Sequence, residues 1–155
     1  MAAPHPQSVQ ELKRLLVASG LEIYRTRPDA VHLAERPRDN QILDAGISVG
    51  FADAARGAES GYELRVVMRC QRSDFPREEV EALFARVRML AADSLVARGF
   101  AEVETREQHM LDPGDATKTL DTWYEIVFVH RVADLDAAVA EAKHALGQDK
   151  FVKVG

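Results

Sequence analysis

The clearest pattern in the chain is strict alternation. In YELRVVMRCQR, residues 62–72, Tyr62, Leu64, Val66, Met68 and Cys70 fall on one side, and Glu63, Arg65, Arg69 and Gln71 on the other. A period of two predicts a strand with one buried face. Shorter alternating runs, LEIYRTR, AVHLAE and GISVGFAD, precede it, and Pro28 and Asp29 between the first two predict a hairpin turn. Two longer runs, FAEVETREQHML and LDTWYEIVFVHRV, flank the turn-rich DPGDATKT and predict a second hairpin. The returning strand is so dense in β-branched and aromatic residues that a central place in the sheet is expected for it.

Three segments instead carry the helical period. SVQELKRLLVASGL has Ser8 as N-cap with Glu11 three residues on, a buried stripe of Val9, Leu12, Leu15 and Leu16, and Gly20 at its end. The second helix is expected over residues 73–99, capped by Ser73 or Asp74 and stopped at Gly99. The third is DLDAAVAEAKHALG, burying Leu135, Ala138, Val139, Ala142 and Leu146. The tail QDKFVKVG is expected to add a short edge strand or to dock loosely. The order α-ββββ-α-ββ-α predicts an α+β fold. The expectation is a single two-layer domain over residues 8–155, behind a flexible segment 1–7. Its largely antiparallel sheet of about six strands carries three helices on one face.

The second helix is apolar on two sides. Val80, Leu83, Phe84, Val87, Ala91 and Leu95 form the stripe that meets the sheet. Ala82, Ala85, Met89, Ala92 and Val96 form another about 160° away at 100° per residue, with charged residues along both flanks. Small residues permit close helix approach and Met fills irregular gaps, so this stripe is the expected interface of a homodimer. Alanine is also a harmless exposed helix former, which is the plain alternative. The sheet face away from the helices is expected to display Arg65, Val67, Arg69, Arg106, Trp123, Val127 and Arg131. Trp and Arg beside exposed valines are enriched at interface hot spots, which makes these the candidate partner-binding residues.

Composition narrows the function classes. The 155 residues are 46% hydrophobic and 29% charged, as in an ordinary folded protein. The net charge of -5 arises wholly after residue 75, because residues 1–75 carry ten basic and ten acidic side chains. Such a balance speaks against non-specific nucleic-acid binding and against an anionic membrane surface. The single cysteine forms no disulfide within the chain, and the start has no apolar leader, so a cytoplasmic location is expected.

Searching for chemistry gives little. The five histidines show no metal-ligand spacing, and no nucleophile elbow or phosphate-cradling glycine loop is present. No catalytic residue, metal or cofactor is therefore expected. Glu102 with Glu104, and Asp134 with Asp136, read as solvated acidic pairs, and Cys70 as a small buried hydrophobe. The polar stretch ERPRDNQILD, residues 35–44, is expected to be a loop pinned by Ile42 and Leu43. Its Arg36 and Arg38 are candidate anion ligands through forked guanidinium contacts.

In outline the element order is similar to that of class I type III secretion chaperones, small acidic dimers that bind extended segments of their cargo. The similarity is one of topology and carries no motif; here four strands, not three, precede the long helix. The expected function is a non-enzymatic homodimeric binding module, an adaptor or chaperone-like protein engaging a protein or peptide through its open sheet face or a strand edge. The alternative is a small anionic-ligand domain or enzyme with a pocket near residues 35–44.

Overall fold

The computed structural model describes residues 6–38 and 40–154. Its elements are α1 (Val9–Ala18), β1 (Ile23–Thr26), β2 (Ala30–Arg38), β3 (Gln41–Phe51), β4 (Tyr62–Gln71), α2 (Val80–Ser94), β5 (Ala101–Asp112), β6 (Asp115–Val132) and α3 (Leu135–Leu146). The fold is α+β, in the predicted order α-ββββ-α-ββ-α, with six strands hydrogen-bonded as one antiparallel sheet in the order β1-β2-β3-β4-β6-β5. The chain gathers into two compact units, residues 1–66 with 129–148 and residues 67–128 with 149–155.

In the first unit, α1 starts where Ser8 Oγ accepts from the Glu11 amide at 3.2 Å, a cap of about 1 kcal/mol. The Glu11 carboxylate reaches back to the Gln7 amide at 2.9 Å, one residue before the reciprocal capping partner. Gly20 ends the helix at φ +92, as its position predicts. Leu12 and Leu16 of α1 and Ala138, Ala142 and Ala145 of α3 are fully buried, as are Val31, Leu33, Ile47, Val49, Leu64 and Val66 of the strands. Of the residues expected to anchor α3, Leu135, Val139 and Leu146 are only half-buried; three alanines instead allow close approach. Pro6 is buried and its carbonyl accepts from Ala58, so it belongs to this packing; residues 1–5 of the expected loose segment lie outside the described residues.

Residues 35–44 are not a loop. β2 and β3 continue through them as two arms, with Arg38 opposite Gln41. Register with β1 ends at Leu33 and register with β4 begins at Ile47, so beyond these points the two arms are in register with each other and with no third strand. Without neighbouring strands they bury nothing, and Ile42 and Leu43 stand 47% and 40% exposed where a pinning role was expected. Asp39 lies outside the described residues.

In the second unit, Leu83, Phe84, Val87 and Ala91 of α2 are buried, with Phe84 edge-on to Tyr124 at 5.6 Å between ring centroids. Met68, Cys70, Ile126 and Phe128 are also buried here. The helix starts at Val80, well after the expected caps. Pro76 disfavours helical geometry at the residue before it, and Phe75 sits at φ -138, ψ 65. The Ser73 amide donates to Asp121 Oδ1 at 3.1 Å instead of opening a helix. The α-helix ends at Ser94, short of the predicted stop, and a short 3-10 turn leads on to Gly99 at φ +107. β6 lies between β4 and β5, the central place its composition predicts.

Gly61 links the loop before β4 at φ +87, and a Cβ there would lie 2.7 Å from the Val132 carbonyl oxygen. Gly61→Ala is expected to cost about 2–3 kcal/mol through backbone strain and the clash. Gly147→Ala, at φ -82 with ordinary contact distances, should leave the denaturation midpoint unchanged or raised. Urea titration of both variants measures the difference.

Candidate functional site

Glu125 is the most informative side chain of the second unit. It is 3% exposed and lies in the apolar run WYEIVFVH of β6. A buried carboxylate needs cations and donors at contact distance, and two guanidiniums supply them. Arg69 Nη2 of β4 stands 3.0 Å from Oε2, and Arg106 Nε of β5 donates to Oε1 at 2.9 Å. The three adjacent strands β4, β6 and β5 are thus pinned by one acid on the central one.

Arg69 also lies between two aromatic rings. Its Cζ is 5.5 Å from the Trp123 centroid and 5.4 Å from that of Phe151, and the rings meet edge-on at 5.6 Å. The quadrupole of each ring attracts the cation, while the carboxylate fixes where the cation sits. Phe151 arrives on the C-terminal segment. There the Arg69 amide donates to the Lys150 carbonyl and the Val152 amide donates to the Arg69 carbonyl, both at 2.9 Å, a parallel bridge outside the main strands.

The predicted partner-binding residues therefore separate. Arg69, Arg106 and Trp123 meet around Glu125, whereas Arg65 and Arg131 share a different acid, Glu63, in the first unit. Val67 is half-buried. Val127 is 2% exposed, which corrects its expected place on an open face: the flanking β6 residues Ile126 and Phe128 are buried as well, so this stretch is enclosed on both sides. By alternation Glu125, between Trp123 and Val127, shares the face expected to be open, yet it is buried. A lone charge inside an apolar strand run was the signal of a buried, partnered acid.

The second predicted surface is open along its length. Ala82, Ala85, Met89, Ala92 and Val96 are all exposed, Met89 to 79%. Their flanks are held in place: Glu78 receives both nitrogens of an Arg86 fork, and Arg88 donates to Glu102 at 2.8 and 3.0 Å. The hydrogen bonds from Arg86 and Arg88 hold the Glu78 and Glu102 carboxyls below their ordinary range. Asp121 behaves similarly by another route: burial pushes it up, but bonds from Ser73, Thr122 and Gln71 together outweigh burial and lower it.

A cleft of about 560 Å³ opens in the first unit, lined among others by Arg27, Asp29, His32, Ser48, Glu63 and Arg65. His32, Ser48 and Arg65 follow one another across β2, β3 and β4 in register. Neither Arg36 nor Arg38 lines it. Arg36 donates to Glu22 at 2.7 and 2.8 Å, and Arg38 is exposed near the hairpin tip. His109 Nδ1 lies 3.0 Å from Thr122 Oγ1 across the second hairpin. Cys70 is 1% exposed and burial raises its thiol pKa, which disfavours the thiolate. Among the described residues no group of three potential ligands is placed to hold a metal ion, and no helix is long and apolar enough to cross a membrane.

Removing the charge of Glu125 leaves two guanidiniums facing each other. Glu125→Gln is expected to cost about 2 kcal/mol, discounted because both arginines are partly exposed, while Glu104→Gln at an exposed 3.8 Å pair should stay within about 0.5 kcal/mol. Paired urea titrations check this. Desolvation in the cleft, helped by Arg25 and Arg27, depresses the His32 pKa below 6.5. The unfolded chain then binds the proton first, so His32 disfavours the fold as pH falls from 6.5 through its lower folded value. His32→Asn should flatten the fall in denaturation midpoint over that window, as midpoints measured from pH 7.5 to 5 would show.

No protein family, no curated protein and no solved structure matches this chain.

Proposed function

We propose that the chain is a non-enzymatic binding module, adaptor or chaperone-like, that works as a homodimer and engages an extended segment of a protein partner. The observation that carries the reading is the solvent-facing stripe of α2. Four apolar or small residues at helical spacing, Ala82, Ala85, Met89 and Ala92, face outward on a helix whose opposite side is already buried, and Val96 of the following 3-10 turn is exposed as well. A second copy of the same helix is the occupant that fits. Two such helices laid antiparallel about Met89 place Ala85 against Ala92 and bring Arg86 of one copy alongside Asp93 of the other, twice by symmetry. The charged flank is thereby self-complementary.

Partner binding is supported by the cluster around Arg69 and Trp123, where an aromatic and a pre-oriented guanidinium remain partly accessible beside a strand edge. A second reading, a pocket for a small anion, is favoured by the cleft containing Arg27, His32, Ser48 and Arg65. A metabolite panel scored by thermal shift separates the two, since a ligand at a hundred times its dissociation constant adds about 2.7 kcal/mol.

Replacing Met89 and Ala92 together by Glu puts two like charges into each half of the seam. Sedimentation equilibrium should show a wild-type dimer and a folded monomeric double variant with unchanged far-UV circular dichroism. A monomeric wild type at tens of micromolar chain, or a double variant that still dimerises, would remove the seam.

A further inference from the structure

The C-terminal segment occupies a strand edge without forming a strand of its own. Register between β3 and β4 ends at Ile47 opposite Val66, which leaves the Arg69 amide and carbonyl to be satisfied by something else. Residues 150–152 satisfy them with two main-chain bonds at 2.9 Å, and Phe151 packs against both the Arg69 guanidinium and the Trp123 ring. The hold is uneven: Lys150 is buried at 6% exposure, but a single residue forms the bridge, Phe151 remains 42% exposed, and Val154 is 63% exposed.

Main-chain pairing supplies affinity to any extended chain, and a pocket at alternate side chains supplies selectivity. Both parts are present here: the main chain at Arg69 belongs to β4, and Glu125 holds the Arg69 guanidinium without the segment. We infer that the β4 edge at Arg69, with Trp123, is a binding site for an extended peptide bearing an aromatic residue followed by a β-branched one, and that residues 149–154 are its resident, displaceable occupant. This deepens the partner-binding half of the function proposed above and rests on it, but is independent of the α2 seam. The partner runs parallel to β4, as Lys150-Phe151-Val152 does, and enters only when the chain's own segment leaves.

The sole tryptophan reports on the site directly. In the full-length chain, Phe151→Ala removes the aromatic occupant, and Val152→Pro removes the amide that bonds the Arg69 carbonyl while keeping Phe151. Either variant should shift Trp123 emission. Titrating a synthetic DKFVKV peptide should then restore the wild-type spectrum saturably, whereas DKAVKV should not. Wild type should need at least about tenfold more peptide, because the tethered segment competes at an effective concentration that can reach millimolar.

If one variant fails to fold, the other carries the test. Folded variants with unshifted emission, or with no response to millimolar DKFVKV, would overturn the inference. So would rescue by a second copy of the chain but not by free peptide, which would indicate exchange of tails between copies. Sedimentation of the same samples separates the outcomes: a lost peptide response with the dimer intact removes this site alone, and a monomer that still responds removes only the seam.

Discussion

A carboxylate buried to the extent of Glu125 must have its oxygens satisfied by donors that stay put, and that demand organises the second unit. Arg69 and Arg106 come from the strands on either side of β6, so the acid fixes three backbones through side chains as well as through the sheet ladder. A free arginine loses much rotamer freedom when it binds a partner; Arg69 has already lost it. Its guanidinium is consequently a preset feature of the surface beside Trp123, as the proposed recognition role requires.

The outer stripe of α2 presents a different economy. Exposed alanines cost nothing, but Met89 at 79% exposure and Val96 at 50% leave apolar area in water. Burying such area yields roughly 25 cal/mol per Å², and alanines on both helices let two backbones approach closely enough to do so. The same residues are compatible with a lone helix, and the Arg86 and Arg88 ion pairs to Glu78 and Glu102 keep the flanks ordered in either case. What favours pairing is the arrangement of Arg86 and Asp93, one turn on each side of Met89 on one flank. Reversing the helix direction brings unlike charges together.

Much of the fold was legible because its signals were local and repeated. Alternation in β4 predicted five buried residues, and all five are buried at 2% or less. Gly20 and Gly99 marked helix ends because positive φ is cheap only for glycine. Illegible features depended on what lies beside a residue in space. Ile42 and Leu43 are apolar, yet they extend past the neighbouring strands and stay exposed. Ser73 and Asp74 look like caps, but Pro76 and the bond from Ser73 to Asp121 shift the helix start to Val80. Glu125 carries no periodic signal, since its burial follows from two arginines more than fifteen residues away in sequence. The candidate site was thus half legible: Trp123, Arg69 and Arg106 were singled out, while the acid and the phenylalanine that bring them together were not.

A strand edge offers unpaired main-chain groups to any extended chain, and the edges of this sheet are guarded differently. β1 is only four residues long, which offers little to pair with. β5 is twelve residues long and exposed, but Glu102, Glu104, Arg106 and Glu107 crowd it with charge, and such crowding discourages indiscriminate pairing permanently. The gap at Arg69 has neither protection. It is covered by a neutral aromatic on a segment that makes a single bridge there, and on the inference above that cover is exchanged for a segment of the same chemistry. Charge repels all comers alike, whereas a displaceable strand selects among them by the side chain that replaces its own. On that inference, the partial exposure of Phe151 is the property that distinguishes a site from a mere closure.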